Sequence, residues 1–149
     1  MLIFTGKICP YCDKNTELVD GSEVYGKKYR GIWLYLCRPC DAYVGTHQGT
    51  TNALGRLANA ELRKWKKLAH RHFDALWRQK VRNGFSKGKA RGLAYRWLAE
   101  KLGIEQNMTH VGMFDVDLCK KTVEACKPYS DKILRAEEQG LADLTRRKL

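Results

Sequence analysis

The chain has 149 residues, of which 44% are hydrophobic and 30% are charged, which is typical of a globular protein with one modest core or two small domains. No apolar run approaches the roughly 20 residues of a membrane-spanning helix, and the run at residues 1–4 is too short for a signal peptide. We therefore expect a cytoplasmic protein with no membrane partner. In that setting its six cysteines indicate metal ligands and free thiols rather than disulfides.

The net charge of +12 favours a polyanionic partner, and most of it lies in one segment. Residues 61–91 contain 11 Lys and Arg against two acidic residues, a net charge of +9. Residues 1–60 and 92–149 have net charges of only +2 and +1. This distribution predicts a basic patch and not a general bias of the surface.

Two Cys-x-x-Cys pairs, Cys9 with Cys12 and Cys37 with Cys40, are separated by 24 residues near the N-terminus. Each pair offers two thiolates from one tight turn, and four thiolates form a closed tetrahedral site for one structural Zn²⁺. A closed site leaves no position for a catalytic water. A redox role is the alternative, but neither pair lies between a strand and a helix N-terminus as thioredoxin-like chemistry requires.

The segment around these pairs predicts a small β structure. Short strands are expected at residues 16–19, 23–25, 32–36 and 42–44, with a hairpin loop between the second and third. Trp33 and Tyr35 are expected to pack over the metal site, with base stacking as the alternative. The predicted fold class is α+β, with a zinc ribbon at residues 1–48 followed by a helical region at residues 49–149.

Three to four helices are predicted in the helical region. Apolar residues recur at spacings of three and four over residues 62–76, which predicts a long helix that begins after Asn59 as N-cap and ends near Asn83. A second helix is expected to stop at Gly103. A third is expected over residues 114–126, stopped by Pro128, with a fourth beginning near Ser130.

Two further cysteines, Cys119 and Cys126, are seven residues apart on the predicted third helix. They share a face but are separated by about 10 Å along the axis, so they cannot bind one ion together. We therefore interpret them as buried thiols.

Several short motifs accompany the cysteine pairs, at residues 42–47, 57–63, 95–99 and 110–114. With these motifs the chain resembles an uncharacterised family of zinc-finger-containing proteins, a domain of unknown function found in phages, prophages and bacteria. The resemblance covers roughly residues 8 to 126. It implies a zinc module fused to a helical region and a phage or prophage origin, with the host cytoplasm as location. It implies no activity.

The basic segment supports the main functional hypothesis, which is that the chain binds nucleic acid, DNA rather than RNA, through its phosphate backbone. An ordinary solvated helix face is the alternative, but such a face usually mixes charges of both signs. The predicted contacts are Arg63, Lys64, Lys67, Arg71, Arg78, Lys80, Arg82, Lys87, Lys89 and Arg91.

Two other functions are left open. The chain could be an interaction module that docks on an acidic host protein, or a metal-dependent nuclease or nuclease accessory that uses His70 or His110. No catalytic residue is predicted, because the sequence contains no nucleophile motif and no phosphate-binding glycine loop. A helix-turn-helix over residues 94–126 is also open, although the connection through His110 is longer than the usual turn.

Overall fold

The computed structural model describes residues 2–147, and the side chains of residues 4–140. Its described part confirms the α+β class, with a small antiparallel sheet near the clustered cysteines followed by helices. The strands are β1 (Glu17–Asp20), β2 (Trp33–Cys37) and β3 (Ala42–Gly45). The helices are α1 (Ser22–Tyr25), α2 (Ala60–Arg82), α3 (Lys87–Leu102) and α4 (Val116–Arg147). Short 3-10 helices occur at Leu2–Thr5, Lys27–Tyr29, Gln106–Met108 and Val111–Met113.

The chain divides into two compact units. The N-terminal unit comprises Met1–Lys64 with Gly112–Phe114, and the helical unit comprises Trp65–Val111 with Asp115–Leu149. The first turn of α2 therefore belongs to the N-terminal unit and the rest of that helix to the helical unit. The division into residues 1–48 and 49–149 stays a prediction. Among the described residues, none of the helices combines the length and apolar character that crossing a membrane requires.

The sheet of the N-terminal unit has the order β1-β2-β3, and both pairings are antiparallel. Side chains alternate between its two faces, as the period of a strand requires. Tyr35 and Cys37 of β2 pack on one side with Cys9, while Leu34 and Leu36 pack on the other. The predicted packing at the metal site therefore involves Tyr35, whereas the side chain of Trp33 remains 41% exposed.

The prediction of a strand at residues 23–25 is wrong, because these residues form the single helical turn α1. The cause is the carboxylate of Asp20 at the end of β1. It accepts hydrogen bonds from the Ser22 backbone N–H (2.9 Å), the Ser22 hydroxyl (2.6 Å) and the Gly31 N–H (2.8 Å). These bonds lower the pKa of Asp20 and hold the chain in a turn where the sequence favoured extension.

Helices α2 and α3 follow the predicted pattern. Asn59 caps α2, since its side-chain oxygen accepts a hydrogen bond from the Leu62 N–H at 3.0 Å. Ser86 caps α3 in the same way, and Gly103 ends it with a left-handed φ of 69°. The basic residues at the junction therefore continue directly into the first turns of α3. Phe73 and Leu98 are fully buried within the helical unit.

Helix α4 corrects the prediction that Pro128 ends a third helix and that a fourth begins near Ser130. Pro128 lies inside one continuous helix. An internal proline costs about 3 kcal/mol, because it removes a backbone donor and crowds the preceding turn. Buried residues nevertheless recur along α4 at spacings of three and four, both before and after Pro128. The fully or largely buried residues of this face are Cys119, Thr122, Cys126, Ser130, Ile133 and Leu134. Packing of this face outweighs the local cost, and it confirms that both cysteines are buried.

Helices α2 and α4 are joined by a charged group centred on Glu137. Its carboxylate accepts two hydrogen bonds from Arg78, both of 3.0 Å, and one of 2.8 Å from Arg82. The hydrogen bond from Arg78 is the main cause that lowers the pKa of Glu137. Arg71 forms a separate and more exposed ion pair with Glu138 at 2.9 Å.

Gly55 gives a prediction for the N-terminal unit. A Cβ added at Gly55 would overlap the backbone carbonyl of Gly112, which cannot move aside as a flexible side chain does. We expect Gly55→Ala to destabilise the protein by about 1–3 kcal/mol, measured by thermal or urea unfolding. The control is Gly92→Ala in α3, where a Cβ meets open space and is expected to be neutral or stabilising. Equal melting temperatures for Gly55→Ala and the wild type would contradict this account.

Glu137 gives a prediction for the helical unit. Because its folded pKa lies below the unfolded value, its stabilising effect is complete above the unfolded pKa and is lost as pH falls through the folded pKa. We expect Glu137→Gln to lower the free energy of unfolding by about 1 kcal/mol at neutral pH. The difference should vanish in acid, as followed by urea unfolding at several pH values. The control Glu138→Gln, at a more exposed pair, should show a smaller difference.

Candidate metal centre and basic cluster

The four cysteines of the two pairs lie together in the N-terminal unit. The sulfur atoms of Cys9, Cys12, Cys37 and Cys40 are all within 4.8 Å of one another. Cys9 and Cys37 are buried and the other two are partly buried. Cys37 ends β2, and the hydrogen-bonded loop that contains Cys9 and Cys12 brings the first pair to it. The sheet thus brings together two turns that are distant in sequence.

The two turns share a backbone feature that was not predicted from the sequence. The residue after each pair, Asp13 and Asp41, has a left-handed conformation with φ of 61° and 49° respectively. Aspartate tolerates this region better than most residues. The Tyr11 N–H also points at the Cys9 sulfur at 3.4 Å. The repeated Cys-x-x-Cys-Asp pattern was visible in the sequence and would have predicted two equivalent turns.

The donor set fits one structural Zn²⁺. Tetrahedral Zn–S bonds of about 2.3 Å place sulfur atoms about 3.8 Å apart. The sulfurs of Cys12 and Cys37 are 3.7 Å apart, far longer than the roughly 2.0 Å of a disulfide. All four ligands are thiols, the donors that zinc prefers in closed sites. The spacing therefore matches a shared metal and not an oxidised pair.

The acidity of the thiols is consistent with this interpretation. Loss of water and then the neighbouring thiols raise the pKa of Cys40 to about 12, and burial raises the pKa of Cys37. The pKa of Cys12 is lowered, first by a hydrogen bond from the backbone of Lys14. Thiols this close cannot all ionise unless a cation offsets their charge. A bound Zn²⁺ would supply that charge and would stabilise the fold.

Residues beside the cysteines bind the start of α2 within the N-terminal unit. The Tyr11 hydroxyl accepts a hydrogen bond from the Asn59 N–H at 3.2 Å. Arg63 donates to the carbonyl oxygens of Asp41 and Ala58, each at 2.7 Å, and pairs with the Asp41 carboxylate at 3.1 Å. The Arg63 guanidinium also lies over the Tyr43 ring, 4.2 Å from its centroid. The zinc site is therefore structural, and it holds the beginning of the next helix.

The histidines considered for catalysis are not part of a ligand set. Within the described part of the chain, the four cysteines are the one group of three or more His, Cys, Asp or Glu side chains placed to share a metal. His70 lies 3.9 Å from Asp74, and His110 packs on the ring of Tyr95 with centroids 5.4 Å apart. His70 therefore forms an i,i+4 pair on the surface of α2, and His110 forms a ring contact with Tyr95 while it remains exposed.

His72 forms a buried polar pair that the sequence did not indicate. Its Nδ1 is 2.8 Å from the hydroxyl of Ser130, which is fully buried. Asp131 lies 3.9 Å from the same Nδ1. In a catalytic triad the carboxylate and the hydroxyl contact opposite nitrogens of the ring, so this arrangement is not a triad. Burial lowers the pKa of His72 and favours its neutral form. The pair joins α2 to α4 within the helical unit.

The predicted nucleic-acid contacts fall into two groups. Four arginines are already engaged with carboxylates: Arg63 with Asp41, Arg71 with Glu138, and Arg78 and Arg82 with Glu137. The remaining six form no ion pair among the described side chains. They are Lys64, Lys67, Lys80, Lys87, Lys89 and Arg91. That these residues contact nucleic acid stays a prediction.

Four of these cations surround two aromatic rings where α2 meets α3. Lys80 and Lys89 lie over the ring of Phe85, with Nζ atoms 5.7 and 5.5 Å from its centroid. Lys87 and Arg91 lie over the ring of Trp77 at 5.6 and 5.9 Å. We refer to these six residues as the basic–aromatic cluster. These cations were predicted from the sequence, whereas the rings of Trp77 and Phe85 beside them were not.

Replacement of a zinc ligand gives a third prediction. We expect Cys37→Ser protein to lose its tightly bound zinc and much of its stability, because a structural zinc contributes about 10–16 kcal/mol in small zinc-finger peptides. Metal analysis and thermal unfolding measure the two effects. The control Cys126→Ala removes a buried thiol outside the site and should retain one zinc per chain. Retention of zinc with full stability in Cys37→Ser would refute the site.

Comparison with known families agrees with this geometry. The family model described as a zinc-finger-containing domain matches residues 5–129, which include all four clustered cysteines and most of the helical unit. Comparisons with curated proteins and with solved structures gave no match. The matched region covers well over half of the chain and confirms the resemblance drawn from the sequence motifs. The chain belongs to the family of the zinc-finger-containing domain.

Proposed function

We propose that this zinc-binding protein binds nucleic acid, with the basic–aromatic cluster contacting the phosphate backbone. The observation that supports the proposal is the position of Lys80, Lys87, Lys89 and Arg91 around the rings of Trp77 and Phe85. Four cations gathered in this way, with no ion pair among the described side chains, form a local excess of positive charge at one end of the helical unit.

The absence of ion pairs at these four residues matters energetically. A phosphate that approaches Arg78 must compete with the carboxylate of Glu137, whereas one that approaches Lys80 displaces only water and mobile ions. Binding that releases counterions depends strongly on salt and carries little sequence information. Lys64 and Lys67 on α2 are further candidates for such contacts. The paired arginines Arg71, Arg78 and Arg82 are expected to contribute less than the lysines that have no ion pair.

The zinc site has a supporting role in this proposal. Its four thiolates leave no open ligand position, so it does not supply a Lewis acid or an activated water. Through Tyr11 and Arg63 it holds the first turn of α2, the helix that leads to the cluster. A phage or prophage origin, a cytoplasmic location and a preference for DNA over RNA belong to the same proposal. The origin rests on the family resemblance.

Docking on an acidic host protein is the second candidate, because unpaired lysines would attract carboxylates as well as phosphates. The two candidate partners, nucleic acid and an acidic protein, would bind the same cations and can therefore be compared by competition. Nucleic acid should displace a bound acidic protein at low salt if both use the cluster. A nuclease function has no comparable support, since His70 and His110 lie outside any shared ligand set in the described residues.

Neutralising the cluster gives a fourth prediction. We expect the triple variant Lys80→Gln, Lys87→Gln, Lys89→Gln to bind a labelled oligonucleotide at least about tenfold more weakly near physiological salt. Each lost phosphate contact should also reduce the slope of log affinity against log salt by about 0.7–0.9. Fluorescence anisotropy over a salt series measures both quantities.

The matched control removes the same charge elsewhere. Arg38, Arg96 and Lys121 are exposed, and each is paired with a carboxylate. Their triple replacement with Gln should leave the salt slope nearly unchanged. If both triple variants weaken binding equally, the effect is due to net charge and the cluster is not the site. If the wild type binds neither DNA nor RNA at low salt, the nucleic-acid proposal is wrong.

A further inference from the structure

A cavity of about 690 Å³ in the helical unit adjoins the basic–aromatic cluster and shares Lys80 and Phe85 with it. Its volume is in the range of pockets that take small organic groups. Leu76 of α2, Leu93 of α3 and Ile133 of α4 form its apolar wall. The family resemblance predicted no such feature, and of the proposed phosphate contacts Lys80 also lines it.

Three aromatic side chains line the cavity: Phe85, Trp97 and Tyr129. The rings of Trp97 and Tyr129 meet edge to face, with centroids 5.7 Å apart. Phe85 remains 38% exposed and Tyr129 remains 53% exposed. Part of each ring is therefore accessible to a flat ligand that could stack on it.

The polar groups of the cavity match a nucleobase and its phosphates. Gln79 of α2 and Asn83, which directly follows α2, also line it, and no side-chain hydrogen bond of either amide is found among the described residues. An amide offers both a donor and an acceptor, as the edge of a base requires. Lys80 and Lys132 also line the cavity, and Lys101 lies over the ring of Trp97 at 5.9 Å. None of the described residues that line the cavity is acidic.

We propose that this cavity takes an unpaired base of a single-stranded nucleic acid while the neighbouring cations bind the flanking phosphates. The inference rests on the proposed function and extends it to a class of nucleic acid. Aromatic rings beside lysines are the usual means by which proteins hold unstacked bases without reading sequence. A base within a duplex is stacked and paired, so it could not enter the cavity without being extruded.

The positive charge of the cavity favours a nucleotide over a neutral flat or apolar ligand. A neutral apolar ligand would gain nothing from Lys80 and Lys132, which line the cavity, or from Lys101, which lies over the ring of Trp97. A nucleotide unit uses the apolar wall, the rings, the amides and the cations together. An acidic peptide with an apolar side chain is the competing occupant, and the experiment includes it.

The test compares three probes of equal length with the zinc-loaded full chain. They are a single strand, the same strand with abasic sites, and a blunt duplex. We expect the single strand to bind more tightly than either of the others. We expect Phe85→Ala and Tyr129→Ala to weaken single-strand binding by about fivefold to a hundredfold, the range spanned by base–aromatic stacking. Binding of the abasic strand and the salt slope should change little, since phosphate contacts remain.

Trp33→Ala is the matched control, because Trp33 is an exposed aromatic residue of the N-terminal unit that is far from the cavity in sequence. It should bind the single strand like the wild type. Circular dichroism and zinc content establish that Phe85→Ala and Tyr129→Ala remain folded. A second pair, Phe85→Tyr and Tyr129→Phe, keeps the rings and should retain tight single-strand binding.

The outcomes separate this inference from the proposed function. If the abasic and complete strands bind equally, and Phe85→Ala and Tyr129→Ala change neither, the base site is overturned while phosphate binding stands. If no probe binds at low salt, both proposals fail. If an acidic peptide binds in a Phe85-dependent way and no strand does, the occupant is a peptide and the base site is likewise overturned.

Discussion

Convergence of four cysteine sulfurs is the constraint on which the N-terminal unit depends. Its sheet has only three short strands, and such a small sheet is marginal without additional support. The buried group around the cysteines includes Tyr35, Val44 and Leu57, so the metal site and the apolar core are one structure. Tyr11, which lies between two ligands, and Asp41, which follows a third, both bind the start of α2. The zinc site thus organises the fold of the unit, and its four thiolates leave no open position for a reacting ligand.

In α2, Arg71, Arg78 and Arg82 pair with carboxylates, whereas Arg91 of α3 belongs with three lysines to the basic–aromatic cluster. Arginine presents several donors in a planar group that matches a carboxylate, and Arg78 uses two of them on Glu137. Lysine is a strongly hydrated point charge, and Lys80, Lys87 and Lys89 stay exposed or partly exposed beside aromatic rings. The positive charge of residues 61–91 is therefore divided, since part of it joins α2 to α4 and part of it has no ion pair among the described side chains. This division narrows the proposed surface and brings it next to the aromatic cavity.

The wrong predictions at residues 23–25 and at Pro128 have two different physical causes. At residues 23–25, β-forming residues favoured a strand. The carboxylate of Asp20 instead accepts hydrogen bonds from the backbone N–H groups of Ser22 and Gly31, and these bonds hold the chain in a turn. At Pro128, a buried face that continues along α4 outweighed the local cost of proline inside a helix. In both places a tertiary or side-chain interaction overrode a propensity that was assigned correctly to the residue itself.

By itself, the sequence determined the metal donors, the α+β class and the long amphipathic helix, because ligand chemistry and helical period are local properties with fixed spacing. It also located the excess positive charge. Only the tertiary structure decided which cations are neutralised, since Glu137 and Glu138 are more than 50 residues from the arginines they bind. The same holds for the cavity, where Phe85, Trp97 and Tyr129 come from separate parts of the chain. Pairing and enclosure depend on distances in space, and no spacing in the sequence encodes them.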